Sequence, residues 1–235
     1  MTEEEFLKSY NPNNYPSPLL TVDSVLFTVE NQSLKILLLQ RTDHPHKGLW
    51  SLPGGFIDTK NDSTTKKTAL RKITEKTKVT PPYLEQLQSF SSIDRDPRGW
   101  SATVTYFALM AHQDTKAQLA DDTQWVALDD LSKLQPLAFD HQKIIEVALE
   151  RLRQKSLYSM LPVYCLPKEF TLGEYHKLME IILDKTVQKK SLYRRFEASE
   201  MFEETGKTVA TGARAAMLYR LKADVKLVNF ERNLG

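Results

Sequence analysis

Apolar and polar positions divide this chain into a strand-rich front and a helix-rich back. Leu19–Thr28 and Lys35–Arg41 are apolar runs separated by the polar Glu30-Asn31-Gln32, and they predict a hairpin feeding a central sheet. Asp43–Phe56 holds Pro45, Gly48, Pro53, Gly54 and Gly55, which predicts a loop ending in a tight turn. Thr64–Lys76 reads as a helix with Ala69, Leu70 and Ile73 on its apolar stripe. Tyr83–Ile93 and Ser101–Ala111 predict two strands flanking the polar Asp94–Gly99, and Gln124–Ala127 a further short strand. His141–Ser156 predicts an amphipathic helix, with Ile144, Ile145, Ala148, Leu149 and Leu152 on one face and Asp140 as its N-cap. Adjacent strands mixed with helices give an α+β sandwich for this half.

The pattern then breaks. Ser159–Phe170 carries Pro162 and Pro167, and the domain connection is placed there, giving a front domain at 1–158 and a back domain at 159–235. Thr171–Asp184 is a helix whose Thr171 and Glu174 match a capping box, with Leu172, Tyr175, Leu178, Met179 and Ile182 facing inward. A second helix is predicted over Ser191–Glu203. After it, Thr205-Gly206 and Thr211-Gly212 punctuate a β-hairpin closed by Ala216–Leu221. The chain shows no internal repeat and no low-complexity tract.

Charge sharpens the division. Residues 1–150 hold 16 Lys and Arg against 20 Asp and Glu, whereas residues 151–235 hold 16 against 10. An acidic front and a basic back suggest that the second domain meets a polyanion. No apolar run approaches the length of a membrane span, and the acidic start lacks the form of a secretory leader, so a cytoplasmic protein is expected. The single Cys165 excludes an internal disulfide and a Cys-rich zinc site, and its neighbours Tyr164 and Leu166 suit a buried structural thiol.

The motif with chemical content is Leu52-Pro53-Gly54-Gly55-Phe56-Ile57-Asp58, followed by Arg71-Lys72-Ile73-Thr74-Glu75-Lys76-Thr77-Lys78-Val79. It resembles the Nudix box, in which a Gly-rich turn leads into a helix whose glutamates hold divalent cations for pyrophosphate hydrolysis. Arg71 and Glu75 fit that pattern, but Lys72, Lys76 and Lys78 replace two glutamates and a glycine. Lys72, Glu75 and Lys76 share one helix face, and its formal charge goes from −3 to +1. One carboxylate beside two ammonium groups is a poor magnesium site, so metal-activated water is not expected and no catalytic or metal residue is assigned. Gly55 and Arg71 are 16 positions apart, two more than in the usual box, and Thr59–Ser63 takes up the difference. Lys72 or Lys76 could stand in for the cation beside a pyrophosphate, with Lys78 a solvated lysine. Asp94-Arg95-Asp96-Pro97-Arg98-Gly99 resembles the Asp-Pro-Arg loop of ADP-ribose pyrophosphatase-like Nudix proteins.

Carried over by position, this resemblance implies an α/β/α sandwich with a ligand over the Gly-Gly turn. Gly54 and Gly55 would let backbone approach the ligand, Arg71 would orient Glu75, and Arg41 and Arg98 are candidates for the diphosphate, with a surface ion pair the alternative for either. Phe56 and Trp50 could stack on a base or ribose, with core packing the simpler role for either. His44, His46 and His141 stand apart from other ligands at useful spacing and are not assigned to a metal.

Two helices and a hairpin form the pattern of a winged helix-turn-helix domain. The second helix opens with Lys189, Lys190 and Ser191, then Arg194 and Arg195, and Leu192 and Phe196 would turn to the core while both arginines project outward. Lys207 and Arg214 would make a thin basic wing for a minor groove. A degenerate Nudix domain followed by a winged helix resembles the NrtR family, Nudix-related transcriptional regulators of NAD metabolism. The residues carrying this are 54–58, 96–99, Leu137-Ala138-Phe139-Asp140-His141 and Leu218-Tyr219-Arg220. It implies a homodimeric repressor of NAD biosynthesis or salvage genes that binds double-stranded operator DNA and takes ADP-ribose as effector rather than cofactor. The competing readings are a Nudix pyrophosphohydrolase acting on ADP-ribose or a related nucleotide diphosphate, and a nucleotide sensor whose winged helix binds a protein.

Overall fold

The computed structural model describes residues 1–78, 80–114, 119–134, 136–211 and 214–230, with the side chains of Thr77, Thr211 and Arg214 outside the description. A short exposed helix, α1 (Glu3–Ser9), precedes the sheet and is closed by a capping box of Thr2 and Glu5. The sheet is built from β1 (Leu19–Glu30), β2 (Ser33–Gln40), β3 (Trp50–Ser51), β4 (Gly54–Phe56), β5 (Tyr83–Ser92), β6 (Ser101–Leu109) and β7 (Thr123–Ala127). Its order is β3-β2-β1-β6-β5, with β4 pairing β1 and β7 pairing β2. β1 and β2 form the expected antiparallel hairpin, turned at Asn31 and Gln32 with φ of 50° and 62°. β1 runs parallel to β6, so the sheet is mixed.

β1 is the centre of the front domain because both of its faces are covered. Val25 and Phe27 join Ile36, Leu38, Phe107 and Leu109 on one face, under Ile144, Ile145, Ala148 and Leu152 of α3 (His141–Ser156). Leu26 and Leu37 lie on the other, under Ile73 of α2 (Thr65–Thr77), and Val22 meets Ala69. That is the α/β/α sandwich implied by the box. A strand buried on two faces reads as a continuous apolar run, as 19–28 does.

The segment placed as a connection is packed rather than free. Leu161–Cys165 forms a 3-10 turn whose Leu161, Val163 and Cys165 are buried in the same core as Phe27. Burial pushes the Cys165 thiol up to about 12. β8 (Phe170–Thr171) then enters the back domain, where α4 (Leu172–Leu183) begins on the predicted capping box of Thr171 and Glu174. Helix α5 spans Lys189–Ala198, not 191–203. It stops because Ser199 Oγ donates to Phe196 O and Glu200 takes φ 53°. Phe202 and Glu203 are instead paired with Leu221 and Arg220, in the sheet of β9 (Phe202–Thr211) and β10 (Arg214–Leu221). Gly206, one of the glycines punctuating the hairpin, lies inside β9 at φ 73°, opposite a register shift between Met217 and Tyr219. Gly212 falls outside the described residues.

Candidate functional site

Two glycines let the front pocket exist. A Cβ on Gly54 would lie 2.0 Å from Asp23 Oδ1 and 2.6 Å from Val22 O, so no side chain fits against β1 there. Gly55 has φ 146°, where L-residues are strained, and the stem of Lys72 passes 3.1 Å from where its Cβ would be. Above this turn is a cavity of about 260 Å³, with Arg41, Asp23, Phe56, Arg98, Asp122 and His141 in its wall.

Its cations are held in place before any ligand arrives. Arg98 makes a forked pair with Asp96 at 3.0 and 2.7 Å and lies 5.1 Å over the Phe56 ring. Arg41 donates from Nε to Pro45 O at 2.7 Å and lies 4.9 Å over the Phe139 ring. Burial and the neighbouring Arg98 charge both lower the Arg41 pKa. Two guanidinium groups that repel each other across one cavity are relieved by an anion between them, and each presents flat, paired donors suited to phosphate oxygens.

The box helix is committed differently. The Arg71 guanidinium bonds Asp62 at 2.5 and 3.0 Å, reaches Glu75 at 2.9 Å, and contacts Phe56 O at 3.5 Å. It pairs with Glu75, and it also clamps the loop with the two extra residues onto the helix. The same bonds hold the Asp62 carboxyl well below the usual carboxylate range. Partial burial raises the Glu75 pKa, but Arg71 and Lys72 outweigh it and the net shift is downward. Lys72 Nζ is 3.3 Å from Glu75 Oε2, and Lys76 Nζ is 3.3 Å from Asp122 Oδ2. Among the described residues, no three His, Cys, Asp or Glu side chains gather into a set that could hold a metal ion.

In the back domain, Leu192 and Phe196 turn inward, and Phe196 stacks on Phe202 at 4.0 Å with an interplanar angle of 5°. Lys190 and Arg194 are exposed on the opposite side of α5. Lys189 and Lys190 sit in the first turn, where cations oppose the helix dipole and an incoming anion is favoured. Ser191 Oγ is bonded to Gln188 Oε1 at 2.7 Å. Arg195 is exposed as well, and its guanidinium also finds partners within the chain. It donates to Leu157 O just beyond α3 and lies 5.6 Å over the Phe230 ring. The wing lysine, Lys207, is paired with Glu169 at 2.8 Å, and the Arg214 side chain is outside the described residues.

Residues 19–148 match the NUDIX domain family, and residues 162–221 match the NrtR DNA-binding winged helix domain. The chain is 43% identical over 235 residues to the ADPR responsive transcriptional repressor NtrR of Acinetobacter baylyi, covering 99% of this chain and 94% of that protein. The chain belongs to the NrtR family. Shewanella oneidensis NrtR in complex with a 27mer DNA superposes with a TM-score of 0.86 at 48% identity, covering 92% of this chain and 99% of that one. The NUDIX domain of the same Shewanella protein, co-crystallised with ADP ribose, gives a TM-score of 0.61 at 52% identity, over 65% of this chain and 99% of that one.

In this NrtR-family chain the pocket gathers Arg41, Gly54, Gly55, Phe56 and Arg98, while Arg71 and Glu75 brace each other beside it. Sequence reading missed the buried layer beneath. Arg95 bonds Asp140 at 2.9 and 3.1 Å and Ser101 at 3.3 Å, and stands 3.8 Å from Asp23. Asp140 occupies the predicted N-cap position of α3, but its carboxylate bonds Arg95 and caps no backbone N–H. His141 Nδ1 accepts the Leu52 N–H at 2.9 Å, tying α3 to the Gly-Gly turn, and burial lowers its pKa. The available signal was Asp23 inside the apolar run of β1, since a buried acid calls for a buried base.

Proposed function

We propose that this protein is a DNA-binding transcriptional repressor of NAD biosynthesis or salvage genes, acting in the cytoplasm as a homodimer, and that ADP-ribose releases it from its operator. ADP-ribose would place its diphosphate between Arg41 and Arg98, close to the Gly54-Gly55 backbone. Lys190 and Arg194 would face DNA, with Lys189 and Lys207 near phosphates. The Nudix domain acts as a sensor and not as a hydrolase, because Glu75 is tied up by Arg71 and Lys72. The carrying observation is that one helix touches both sites. α3 begins with His141 in the pocket wall, and the carbonyl of Leu157 at its far end accepts from Arg195 of α5. Ligand and operator would then compete through the geometry of this junction, and by reciprocity each weakens the other by the same factor.

The test is fluorescence anisotropy of a labelled duplex from upstream of the organism's NAD-synthesis genes, titrated with protein and then ADP-ribose. Tight, salt-sensitive binding reversed by ADP-ribose is expected. ADP-ribose affinity that is equal with and without operator would refute the switch, and chromatographic detection of AMP after incubation with magnesium would favour the hydrolase.

A further inference from the structure

The divalent cation implied by a Nudix box does not fit this site. Hard cations take six or more oxygen ligands, or keep several waters around a few carboxylates. Here both oxygens of Glu75 face cationic nitrogen, Arg71 at 2.9 Å and Lys72 at 3.3 Å, and Asp122 faces Lys76 at 3.3 Å. Any cation on this helix face would meet two ammonium groups before it met a free carboxylate.

The two kinds of pair are not equivalent. Arg71 lies 2.9 Å from Glu75 and closer still to Asp62, so both are short charge-assisted bonds. Both lysine pairs are longer, at 3.3 Å, so each ammonium can exchange its carboxylate for a phosphate at low cost. Their placement points the same way. The Lys72 stem crosses Gly55, with Nζ 3.6 Å from where a Cβ would be, which puts the ammonium over the turn that admits the ligand. Lys76 lines the same cavity as Arg41 and Arg98.

From this we infer that Lys72 and Lys76 are tethered counter-cations, so that the protein binds its diphosphate effector without a divalent metal. The inference rests on the ADP-ribose reading above and adds two residues and a condition to it. Two ammonium groups supply the formal charge of one divalent ion. They lack what a metal adds for hydrolysis, an open coordination position that polarises a phosphoryl oxygen and acidifies a bound water. The exchange therefore keeps affinity and drops the chemistry, as a sensor of an intact metabolite requires.

The experiment is calorimetry with ADP-ribose in EDTA and in magnesium, on the full chain and on Lys72→Gln, Lys76→Gln and Lys72→Glu/Lys76→Glu. The wild type is expected to bind equally in both buffers. Each Gln variant should weaken binding about tenfold or more, as expected for loss of a charged hydrogen bond. The double Glu variant should bind only with magnesium. A wild type that needs magnesium, or Gln variants that bind like the wild type, would overturn the inference. Manganese binding followed by electron paramagnetic resonance reads the same face with no nucleotide present. The double Glu variant should take up the ion and the wild type should not, and equal uptake would overturn the inference. Failure of wild-type ADP-ribose binding in both buffers would sink the functional reading, and the manganese comparison would still decide whether the lysines displace the metal. Circular dichroism melts confirm that each variant is folded.

Discussion

Replacing Arg95 by Met should destabilise the front domain more than any surface substitution. The Arg95 side chain is 5% exposed and serves two acids on different elements, Asp23 on β1 and Asp140 at the start of α3. Methionine keeps the apolar stem volume but strands both carboxylates in a partly desolvated layer. Breaking a buried pair from one side costs about 3–5 kcal/mol. For a chain of this size each kcal/mol moves the melting temperature roughly 2–4 °C, so a fall of about 6–20 °C is expected. Scanning calorimetry on Arg95→Met, Asp140→Asn and the double variant would measure it. The double variant should be distinctly more stable than the sum of the singles predicts, by roughly 1–3 kcal/mol of coupling. A second readout is the imidazole of His141. Burial is the chief cause of its lowered pKa, but the Arg95 charge also pushes it down, so its titration by NMR should move upward in Arg95→Met. A melting shift under 2 °C, or strictly additive singles, would refute the account of Arg95 as the balancing charge of this layer.

Arg194→Ala should lower operator affinity about 10- to 100-fold in anisotropy titrations, the range for losing a guanine-reading side chain. Arg195→Ala should cost far less DNA affinity but blunt the ADP-ribose effect; identical behaviour of the two variants would contradict the geometry of α5. Arg41→Ala should weaken ADP-ribose binding about 10- to 100-fold by calorimetry, and Arg41→Lys should not restore it, because a point charge cannot copy the fork. Burial lowers the His141 pKa in the folded state, so the unfolded chain takes up its proton first as pH falls. Stability should therefore drop below about pH 6.5, by up to ~1.4 kcal/mol per pH unit until the folded imidazole also titrates, and His141→Asn should flatten that slope in urea melts. The Cys165 thiol, pushed up to about 12 by burial, should resist iodoacetamide at pH 8 in the native protein and react at once in guanidinium; fast native labelling would contradict its burial.

Periodicity carried the sheet and the helices because local pattern and tertiary burial agree there. Ile144, Ile145, Ala148 and Leu152 repeat at helical spacing and are all buried. It failed at the end of α5, where Glu200–Glu203 carries good helix formers. Phe202 reaches the Phe196 and Tyr175 rings only from a strand, and that long-range stacking overrides propensity. The Gly-Gly turn, Arg41 and Arg98 were legible because their chemistry is local to a motif. The Arg95 layer was not, since its members come from β1, the loop before β6 and the start of α3, and only the fold brings 23, 95 and 140 together. Asp140 misled for the same reason: an acid ahead of an apolar helix satisfies the local rule for a cap, but the buried guanidinium offers the stronger bond. Lys72 and Lys76 were visible as substitutions, yet their partners Glu75 and Asp122 were not both within reach of a helical wheel.

The size of the proposed switch narrows where it can act. α3 has 16 residues, about 24 Å of helix. Its apolar face is packed on the sheet along its length, so it cannot slide alone. Ligand binding moves an equilibrium only by its differential affinity for two states, and a hundredfold loss of DNA affinity needs about 2.7 kcal/mol. A charged hydrogen bond contributes about 1.5–3 kcal/mol and an exposed cation–π contact about 0.5–1. Arg195 makes one of each, to Leu157 O and to Phe230. Both contacts are exposed and screened by water, so this contact set supplies part of the coupling and the rest must come from other residues at the junction. The proposed switch is therefore placed at the junction, as two positions of α5 relative to the end of α3, one of which keeps Arg195 docked.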